Sequence, residues 1–353
     1  DGGEAASSSA QANGSFTPVA AMSGARFHPA AVVLVNGKVL VAGGMSNSSS
    51  LTSAELFDPA SGRWSAAPSM SRARAGDFLV GLQDGRALAL ASLGGEIYDP
   101  AANRWTATAA PPSGAVFQPF LRLADGRVMS TTGSIGTVQI YDPVRDRWTV
   151  HSGFDGRRNF AMSPLPDGRV LLSGGDYSNS AAPVATALLF DPATGSWRQA
   201  ANMQFARNLH FSFPLPDGRV VVSHGATASS RRIGTSEVYD PVRDAWSLAG
   251  EVLKFDSATA GAALTPLDGG AVLVSGGATV SGGTILDQQS IEETNAEIFD
   301  PVALVWRRAT PAGRGLTQPR YYHAATRLRD GTVLLVGGLD GGRPLTGAEK
   351  FVP

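Results

Sequence analysis

Short apolar runs alternate with clusters of Gly, Pro, Asp and Asn along most of the chain. Typical runs are VLVAGG at residues 39–44, VLLSGG at 170–175 and VLLVGG at 333–338. The apolar spacing of an amphipathic helix is missing throughout, and the runs have the length of buried strands. The pattern therefore predicts an all-β protein.

The pattern recurs as one repeated unit, and each copy predicts four strands, A to D. Strand A ends in an Asp-Gly or Asn-Gly turn, strand B in paired glycines and strand C in an aromatic-Asp-Pro stop, while strand D begins at a tryptophan. The turns after strand A lie at residues 36–37, 84–85, 125–126, 167–168, 217–218, 269–270 and 330–331. The tryptophans are Trp64, Trp105, Trp148, Trp197, Trp246 and Trp306.

Seven turns but six tryptophans leave one repeat without its strand D. In two of the other copies a Met follows the Trp after six residues and an Arg follows four residues later, as in Trp64, Met70 and Arg74. Phe16, Met22 and Arg26 have the same spacing. We therefore expect residues 15–22 to supply strand D of the last repeat, whose strands A to C come from residues 320–352. This pairing of the two termini closes a ring of sheets and removes an open edge.

The unit resembles the kelch repeat, and the chain resembles a bacterial kelch-type β-propeller of seven blades in the galactose-oxidase-like superfamily. The resemblance covers residues 15–353, because several features recur in a fixed order, whereas the Gly-His and Trp-Asp marks of WD40 propellers are absent. It implies a single β-propeller with approximate blades at residues 24–70, 71–112, 113–152, 153–203, 204–252, 253–314, and 315–353 plus 15–22.

Composition narrows the classes of function. The formal net charge of −1 lacks the basic footprint of a nucleic-acid-binding protein, and no apolar run approaches the length of a membrane span. Cysteine is absent, which excludes disulfides, thiolate metal sites and thiol nucleophiles. Copper-radical enzymes of the resembled superfamily use a cysteine crosslinked to tyrosine, so that activity in its known form is excluded too.

Residues 1–14 are rich in Ser, Ala and Gly and predict a flexible leader. Because the chain begins with Asp, it fits a mature exported protein that is periplasmic, cell-surface or secreted, with a removed segment that carried a signal or a lipid anchor. A chain trimmed for another reason would begin in the same way.

Four-stranded up-and-down blades place the A–B and C–D turns on one face of the disc, called here the first face. The B–C and D–A loops lie on the opposite, second face. The B–C loops differ greatly in length, being minimal in blades two and three and longest in blade six. Since loops that vary on a constant scaffold commonly carry binding residues, we expect the ligand on the second face.

The D–A loops bring several arginines toward the second face, and the resemblance implies a ligand with acidic groups, since kelch propellers that bind acidic peptides use arginines there. The alternative is that each arginine pairs with an acid of the fold or keeps the rim soluble. The arginines are Arg26, Arg74, Arg157, Arg158, Arg207 and Arg320.

Histidines suggest a second kind of site. His28, His210 and His323 occupy the start of strand A, and in blade five His224 replaces the first glycine of the pair. A three-residue loop that pairs Leu215 with Arg219 sets His210 opposite His224, with Cβ atoms about 5 Å apart. Two imidazoles at that separation predict a site for a divalent metal, and the alternative is a polar pair that shares a water.

The long loop of blade six, residues 278–296, carries Asp287, Glu292 and Glu293. Clustered acids can bind calcium, but the regular Asp-x-Asp-x-Asp-Gly spacing is missing, so we expect a solvated loop or a lid.

These observations favour a non-catalytic binding propeller that presents its second face to a carbohydrate, peptide or protein ligand. The fold requires no cofactor. One alternative is a mutarotase-like or epimerase-like enzyme that acts on a sugar at the pore mouth, and another is a structural or assembly role. The lining of the pore mouth should separate binding from catalysis, because an enzyme needs convergent groups that exchange protons. The expected ligand-binding residues are Arg26, Arg74, Arg158, Arg207, His210, His224, Arg320 and His323.

Overall fold

The protein is described by a computed structural model. It describes residues 14–47, 49–76, 79–90, 94–112, 117–131, 136–177, 180–227, 233–253, 261–279, 291–292, 294–312 and 314–353. Within these residues the only helical element is a single 3₁₀ turn at Asp268–Gly270, and no helix long and apolar enough to cross a membrane is found.

Strands of the described residues form seven antiparallel four-stranded sheets, the blades of a propeller. Blades one to three are β2 (Ala30–Val33), β3 (Val39–Ala42), β6 (Ala54–Asp58) and β7 (Arg63–Ala67); β8 (Leu79–Gly81), β9 (Ala87–Ala89), β10 (Glu96–Asp99) and β11 (Arg104–Ala107); β12 (Phe117–Arg122), β13 (Val128–Thr131), β14 (Thr137–Asp142) and β15 (Arg147–Ser152). Blades four and five are β16 (Ala161–Pro164), β17 (Val170–Ser173), β20 (Ala187–Asp191) and β21 (Ser196–Ala200); β22 (Phe211–Pro214), β23 (Val220–Ser223), β24 (Thr235–Asp240) and β25 (Ala245–Glu251). Blades six and seven are β26 (Ala263–Pro266), β27 (Val272–Ser275), β30 (Ala296–Asp300) and β31 (Val305–Arg308); β32 (Ala324–Arg327), β33 (Val333–Val336), β36 (Ala348–Val352) and β1 (Ser15–Val19).

The ring closes as the sequence predicts. Strand β1 pairs with β36, and Phe16 lies opposite Phe351 with ring centroids 4.9 Å apart. In every other blade the same register sets the strand-D tryptophan opposite the aromatic residue of strand C, as in Phe190 and Trp197 at 4.6 Å. Phe16 therefore fills the tryptophan position of blade seven, and the predicted all-β, seven-bladed fold with an N-terminal closing strand is confirmed.

Adjacent blades are joined by packing and by the tryptophan side chains. A hydrophobic cluster lies between each pair of neighbouring blades, such as Leu165, Leu171, Leu189, Val220 and Tyr239 between blades four and five. The indole N–H groups of five tryptophans donate to carbonyl oxygens of the preceding blade. The pairs are Trp64 to Ala20 (2.6 Å), Trp105 to Pro68 (2.8 Å), Trp148 to Ala109 (2.9 Å), Trp197 to Ser152 (3.1 Å) and Trp246 to Ala201 (2.8 Å).

The A–B turns have the predicted three-residue geometry. In blade five Leu215 N donates to Arg219 O at 2.7 Å, and Gly218 has a φ of 87°. Such a φ is open to glycine at little cost, which accounts for the recurring Gly of the turn.

The second face carries additional two-stranded hairpins in the B–C loops of blades one, four, six and seven. They are β4 (Met45–Ser46) with β5 (Ser49–Ser50), β18 (Asp176–Tyr177) with β19 (Ser180–Pro183), β28 (Ala278–Thr279) with β29 (Ile291–Glu292), and β34 (Leu339–Asp340) with β35 (Arg343–Pro344). Residues 1–13 of the expected leader and 280–290 and 293 of the blade-six loop, with Asp287 and Glu293, lie outside the described residues.

Replacing Phe16 with Ala should weaken ring closure, because Phe16 is 9% exposed and packs on Phe351. We expect a loss of about 3–5 kcal/mol in the free energy of unfolding, measured by urea denaturation. Thr17→Ala on the same strand is the control, since Thr17 is exposed and should change stability by less than about 0.5 kcal/mol. Equal effects of the two substitutions would contradict the closure by Phe16.

Candidate functional site

A collar of residues in left-handed conformation surrounds the pore at the second face. In five blades the collar residue lies two residues after the arginine that precedes strand A, and in blade six Gly261 occupies the equivalent position. The φ of each collar residue is positive. The collar residues are His28 (50°), Gly76 (93°), Asn159 (55°), Leu209 (51°), Gly261 (74°) and Tyr322 (53°). The corresponding position of blade three falls within residues 113–116, outside the described residues.

Backbone hydrogen bonds link the collar from blade to blade. The donors and acceptors are Tyr322 N and Gly261 O (2.7 Å), His28 N and Tyr322 O (2.7 Å), Gly76 N and His28 O (2.8 Å), and Leu209 N and Asn159 O (2.8 Å). The left-handed φ turns each peptide toward its neighbour, which satisfies backbone groups that a strand edge would leave unpaired. The collar thus fixes the outline of the pore mouth.

A cavity of about 600 Å³ opens inside this collar. Its described lining is mainly alanine, glycine and leucine, with Phe211 on the wall of blade five. The polar lining residues are His28, Tyr322 and His323, and the His28 and Tyr322 rings stack with centroids 3.8 Å apart. No charged side chain is found among the described residues of the lining.

Burial keeps the polar groups of this cavity neutral near pH 7. It lowers the pKa of His28, and it lowers the pKa of His323 to about 3, with Arg320 adding to the effect. The pKa of Tyr322 is raised, again mainly by burial. The described lining therefore offers an uncharged, largely apolar surface.

Four of the five predicted ligand-binding arginines lie inside the blades instead of facing this cavity. Arg207 is 0% exposed, and its guanidinium donates to Glu237 Oε1 (2.9 Å), His224 O (3.0 Å) and Thr235 O (3.1 Å). The same arrangement joins Arg26 to Glu55, Arg74 to Glu96 and Arg320 to Glu349. Their positions do not support the expectation that these arginines contact a ligand, because all four are buried and paired with glutamates of the fold.

Each glutamate partner ties a third segment to the pair. Glu237 Oε2 accepts from Gln204 N at 2.6 Å, and Glu55 Oε2 accepts from Ser23 N at 2.9 Å. One Arg–Glu pair thus holds the D–A loop, the start of strand A and the base of the B–C loop together. Glutamate two residues before the aromatic stop of strand C was the sequence signal for this pairing, and it was missed.

Blade four supports the base of its B–C loop with a different ion pair. Its strand C has Leu188 at the glutamate position, and Arg157 is paired instead with Asp155. Arg157 Nη1 still donates to Gly174 O (3.0 Å) and Thr186 O (2.9 Å) at the base of the B–C loop.

Arg158 differs from the other predicted arginines because its side chain is 55% exposed. Its Nε donates to Asp176 Oδ1 at 2.9 Å, and Asp176 also accepts from Asn159 (2.9 Å) and Asn208 (2.7 Å). This polar cluster lies at the second-face rim beside collar residue Leu209, so Arg158 alone of the predicted arginines remains available to a ligand.

The structure separates the two histidines that the sequence placed together. Phe211 lies opposite Ser223 in the sheet, and the same register continued by one residue sets His210 opposite His224, as predicted. However, His224 has a φ of 62°, the conformation of the glycine that it replaces, and this turns its ring away. His210 Nε2 lies 2.9 Å from Ser173 Oγ of blade four, whereas the His224 ring lies 5.1 Å from the Trp306 ring of blade six.

The predicted metal site at His210 and His224 is therefore wrong, because the rings contact opposite neighbouring blades. Groups of three or more metal-ligating side chains are also absent from the described part of the chain. His210 and His323 each bond to a strand-B serine of the preceding blade, Ser173 at 2.9 Å and Ser275 at 3.1 Å. The sequence pattern grouped His28 with His210 and His323. In the structure His28 is equivalent to the collar residues Leu209 and Tyr322, which come one residue earlier in their blades.

Comparison with known proteins agrees with this geometry. A family model described as the Kelch motif matches residues 26–71, which hold most of blade one, and the same unit builds the other six sheets. The chain is a seven-bladed β-propeller with a match to the Kelch motif in blade one. An F-box/kelch-repeat protein of Arabidopsis thaliana is 30% identical over 100 residues, which is 26% of this chain and 29% of that protein.

Solved structures share the fold of this β-propeller. A fungal alcohol oxidase of the AA5 family, in complex with copper, superposes with a TM-score of 0.72 at 14% identity over 96% of this chain and 76% of its own. The structure of YjhT superposes with a TM-score of 0.54 at 14% identity, over 94% and 96% of the two chains. The described residues of this β-propeller hold no group of three or more His, Cys, Asp or Glu side chains that could bind a metal ion.

Replacing Arg207 with Met should destabilise the β-propeller by about 3–5 kcal/mol, because it leaves Glu237 buried without its cation. Chemical denaturation measures the loss. Arg219→Met is the matched control, since the Arg219–Asp217 pair is exposed and contributes about 0–1 kcal/mol. Similar small losses in both variants would show that Arg207 is not structural.

The buried histidines should make stability depend on pH. Burial lowers the pKa values of His210 and His323 to about 3 in the folded chain, so below the ordinary value of 6.5 the unfolded chain binds more protons. Stability is therefore expected to fall as the pH drops from about 6.5 toward 3. The double variant His210→Gln/His323→Gln should flatten this slope in unfolding measurements, and an unchanged slope would refute the assignment.

Proposed function

We propose that this β-propeller is a binding module that takes an uncharged, apolar side chain of a peptide or protein partner into the second-face cavity. The observation that carries the proposal is the neutral lining formed by the described residues of that cavity, which accommodates an aromatic or aliphatic group and includes no charged partner for an acid. Desolvating such a surface favours association by the hydrophobic effect.

Exposed apolar residues continue this surface outside the cavity. Leu209 of the collar is 66% exposed, and Phe205 in the same D–A loop is 41% exposed. The polar cluster around Arg158 and Asp176 borders them. An apolar centre with a polar rim that contains arginine is the usual anatomy of a protein interface.

Catalysis finds less support in the described lining. General acid–base chemistry needs groups that exchange protons near the working pH, whereas burial moves the pKa values of His323 and Tyr322 away from that range. The sugar-isomerising alternative lacks a carboxylate among the described lining residues.

Panning a displayed peptide library on the wild-type protein tests the proposal, together with a glycan array. We expect peptides enriched in an uncharged aromatic or aliphatic residue, and we expect Leu209→Asn to weaken their binding by about tenfold or more. Asn tolerates the left-handed φ of this position, so the collar should be preserved.

Val144→Asn is the matched control, because Val144 is 88% exposed in a C–D turn of the opposite face. Its affinity for the selected peptides should equal that of the wild type. Enrichment of acidic peptides without sensitivity to Leu209→Asn, or binding of glycans alone, would overturn the proposal.

A further inference from the structure

The first-face mouth of the pore carries a second, chemically different cavity. In every blade the residue before the buried leucine of the A–B turn occupies an equivalent position near this mouth. These residues are Val33, Gly81, Arg122, Pro164, Pro214, Pro266 and Arg327. Five of them, all but Pro164 and Pro214, line an open cavity of about 620 Å³.

Two arginines from different blades face this cavity. Arg122 on β12 makes no hydrogen bond or ion pair with any described residue, and its side chain is exposed. Arg327 on β32 is paired through Nη2 with Asp268, whereas its Nε is buried without a hydrogen-bond partner. Asp268 is 78% exposed, so solvent screens its charge.

The other acids of the A–B turns are already paired close to their own turns. The pairs are Asp84 with Arg86 (2.7 Å), Asp125 with Arg127 (2.7 Å), Asp167 with Arg169 (2.6 Å), Asp217 with Arg219 (2.7 Å) and Asp330 with Lys350 (3.2 Å). Two arginines against one exposed aspartate therefore leave about one positive charge at the mouth.

Apolar side chains form the wall behind the arginines. Val33, Leu79, Val80, Phe120 and Leu267 line the same cavity, and Leu79 also lines the second-face cavity. A guanidinium at the rim and an apolar wall within the pore complement a ligand that carries one anionic group on an apolar body. The planar fork of arginine matches a carboxylate in particular.

We propose that the first-face mouth binds a monocarboxylate with an apolar body. The carboxylate contacts Arg122, with Arg327 as the second donor, and the apolar body lies in the pore against Leu79 and Phe120. Such a group can belong to a free organic acid or to the C-terminus of a peptide with apolar last residues. The site is separate from the second-face cavity and does not depend on the function proposed there.

Isothermal titration calorimetry with octanoate and 1-octanol tests the carboxylate. A second arm uses the peptide acetyl-Gly-Gly-Leu-Leu with a free or an amidated C-terminus. We expect the free carboxylates to bind more tightly than their neutral counterparts and to weaken with added salt. Arg122→Gln should weaken carboxylate binding by about tenfold or more and leave 1-octanol unchanged.

Arg86→Gln is the matched control, because Arg86 lies in a first-face turn but does not line the cavity. Thermal unfolding of both variants checks that the exposed substitutions leave the fold intact. Binding of either carboxylate with the stated dependence on Arg122 supports the proposal. Binding of octanoate points to a free organic acid as the ligand, and binding of the free-acid peptide points to a peptide C-terminus. Absence of binding by both carboxylates, or equal weakening by Arg86→Gln and Arg122→Gln, overturns it.

Discussion

The buried arginine–glutamate pair is the interaction on which the second face depends. In blade five Arg207 and Glu237 are both 0% exposed, and between them they hold the D–A loop, the start of strand A and the base of the B–C loop. Removing two ions from water is costly, and hydrogen bonds to backbone groups offset part of that cost. In blades one, two, five and seven such a pair lies beneath B–C and D–A loops that differ from blade to blade.

Closure of the ring is the second constraint, and it is where the sequence was most informative. Each strand-D tryptophan packs on the strand-C aromatic residue, and its indole N–H donates a hydrogen bond to the preceding blade. The tryptophans can therefore be counted in the sequence, one for each blade that has its own strand D. One missing Trp and a Phe16 at matching spacing were enough to predict the closing strand β1, and the pairing with Phe351 confirms it. The fold follows from such repetition, because seven copies of one pattern reinforce one another.

The site was predicted less well for physical reasons that single residues illustrate. The repeat pattern placed Arg207 near the second face. Only the folded blade shows that its guanidinium points inward and pairs with Glu237. Strand register placed His210 opposite His224, but a left-handed φ at His224 reversed the ring. Backbone conformation and side-chain direction at strand ends are tertiary properties, which alternation patterns do not report. Arg122 was overlooked for a related reason, since its significance lies in having no ion-pair or hydrogen-bond partner among the residues that the structure describes.

Blade six departs from the arginine–glutamate pairing of blades one, two, five and seven. It keeps the strand-C glutamate as Glu297, yet residues 254–260, which span the arginine position, contain no arginine. Burial raises the pKa of Glu297 to about 8. In blades four and seven a Cβ on the first glycine of the pair would lie within 2.4 Å of the carbonyl oxygen of the next blade's arginine, so glycine is required there. Blade five precedes the blade that lacks this arginine, and there the glycine is replaced by His224. The second-face cavity draws on both blades through Gly225 and Gly261. The second-face cavity thus borders a blade that has no arginine at this position, beside the blade in which His224 replaces the glycine.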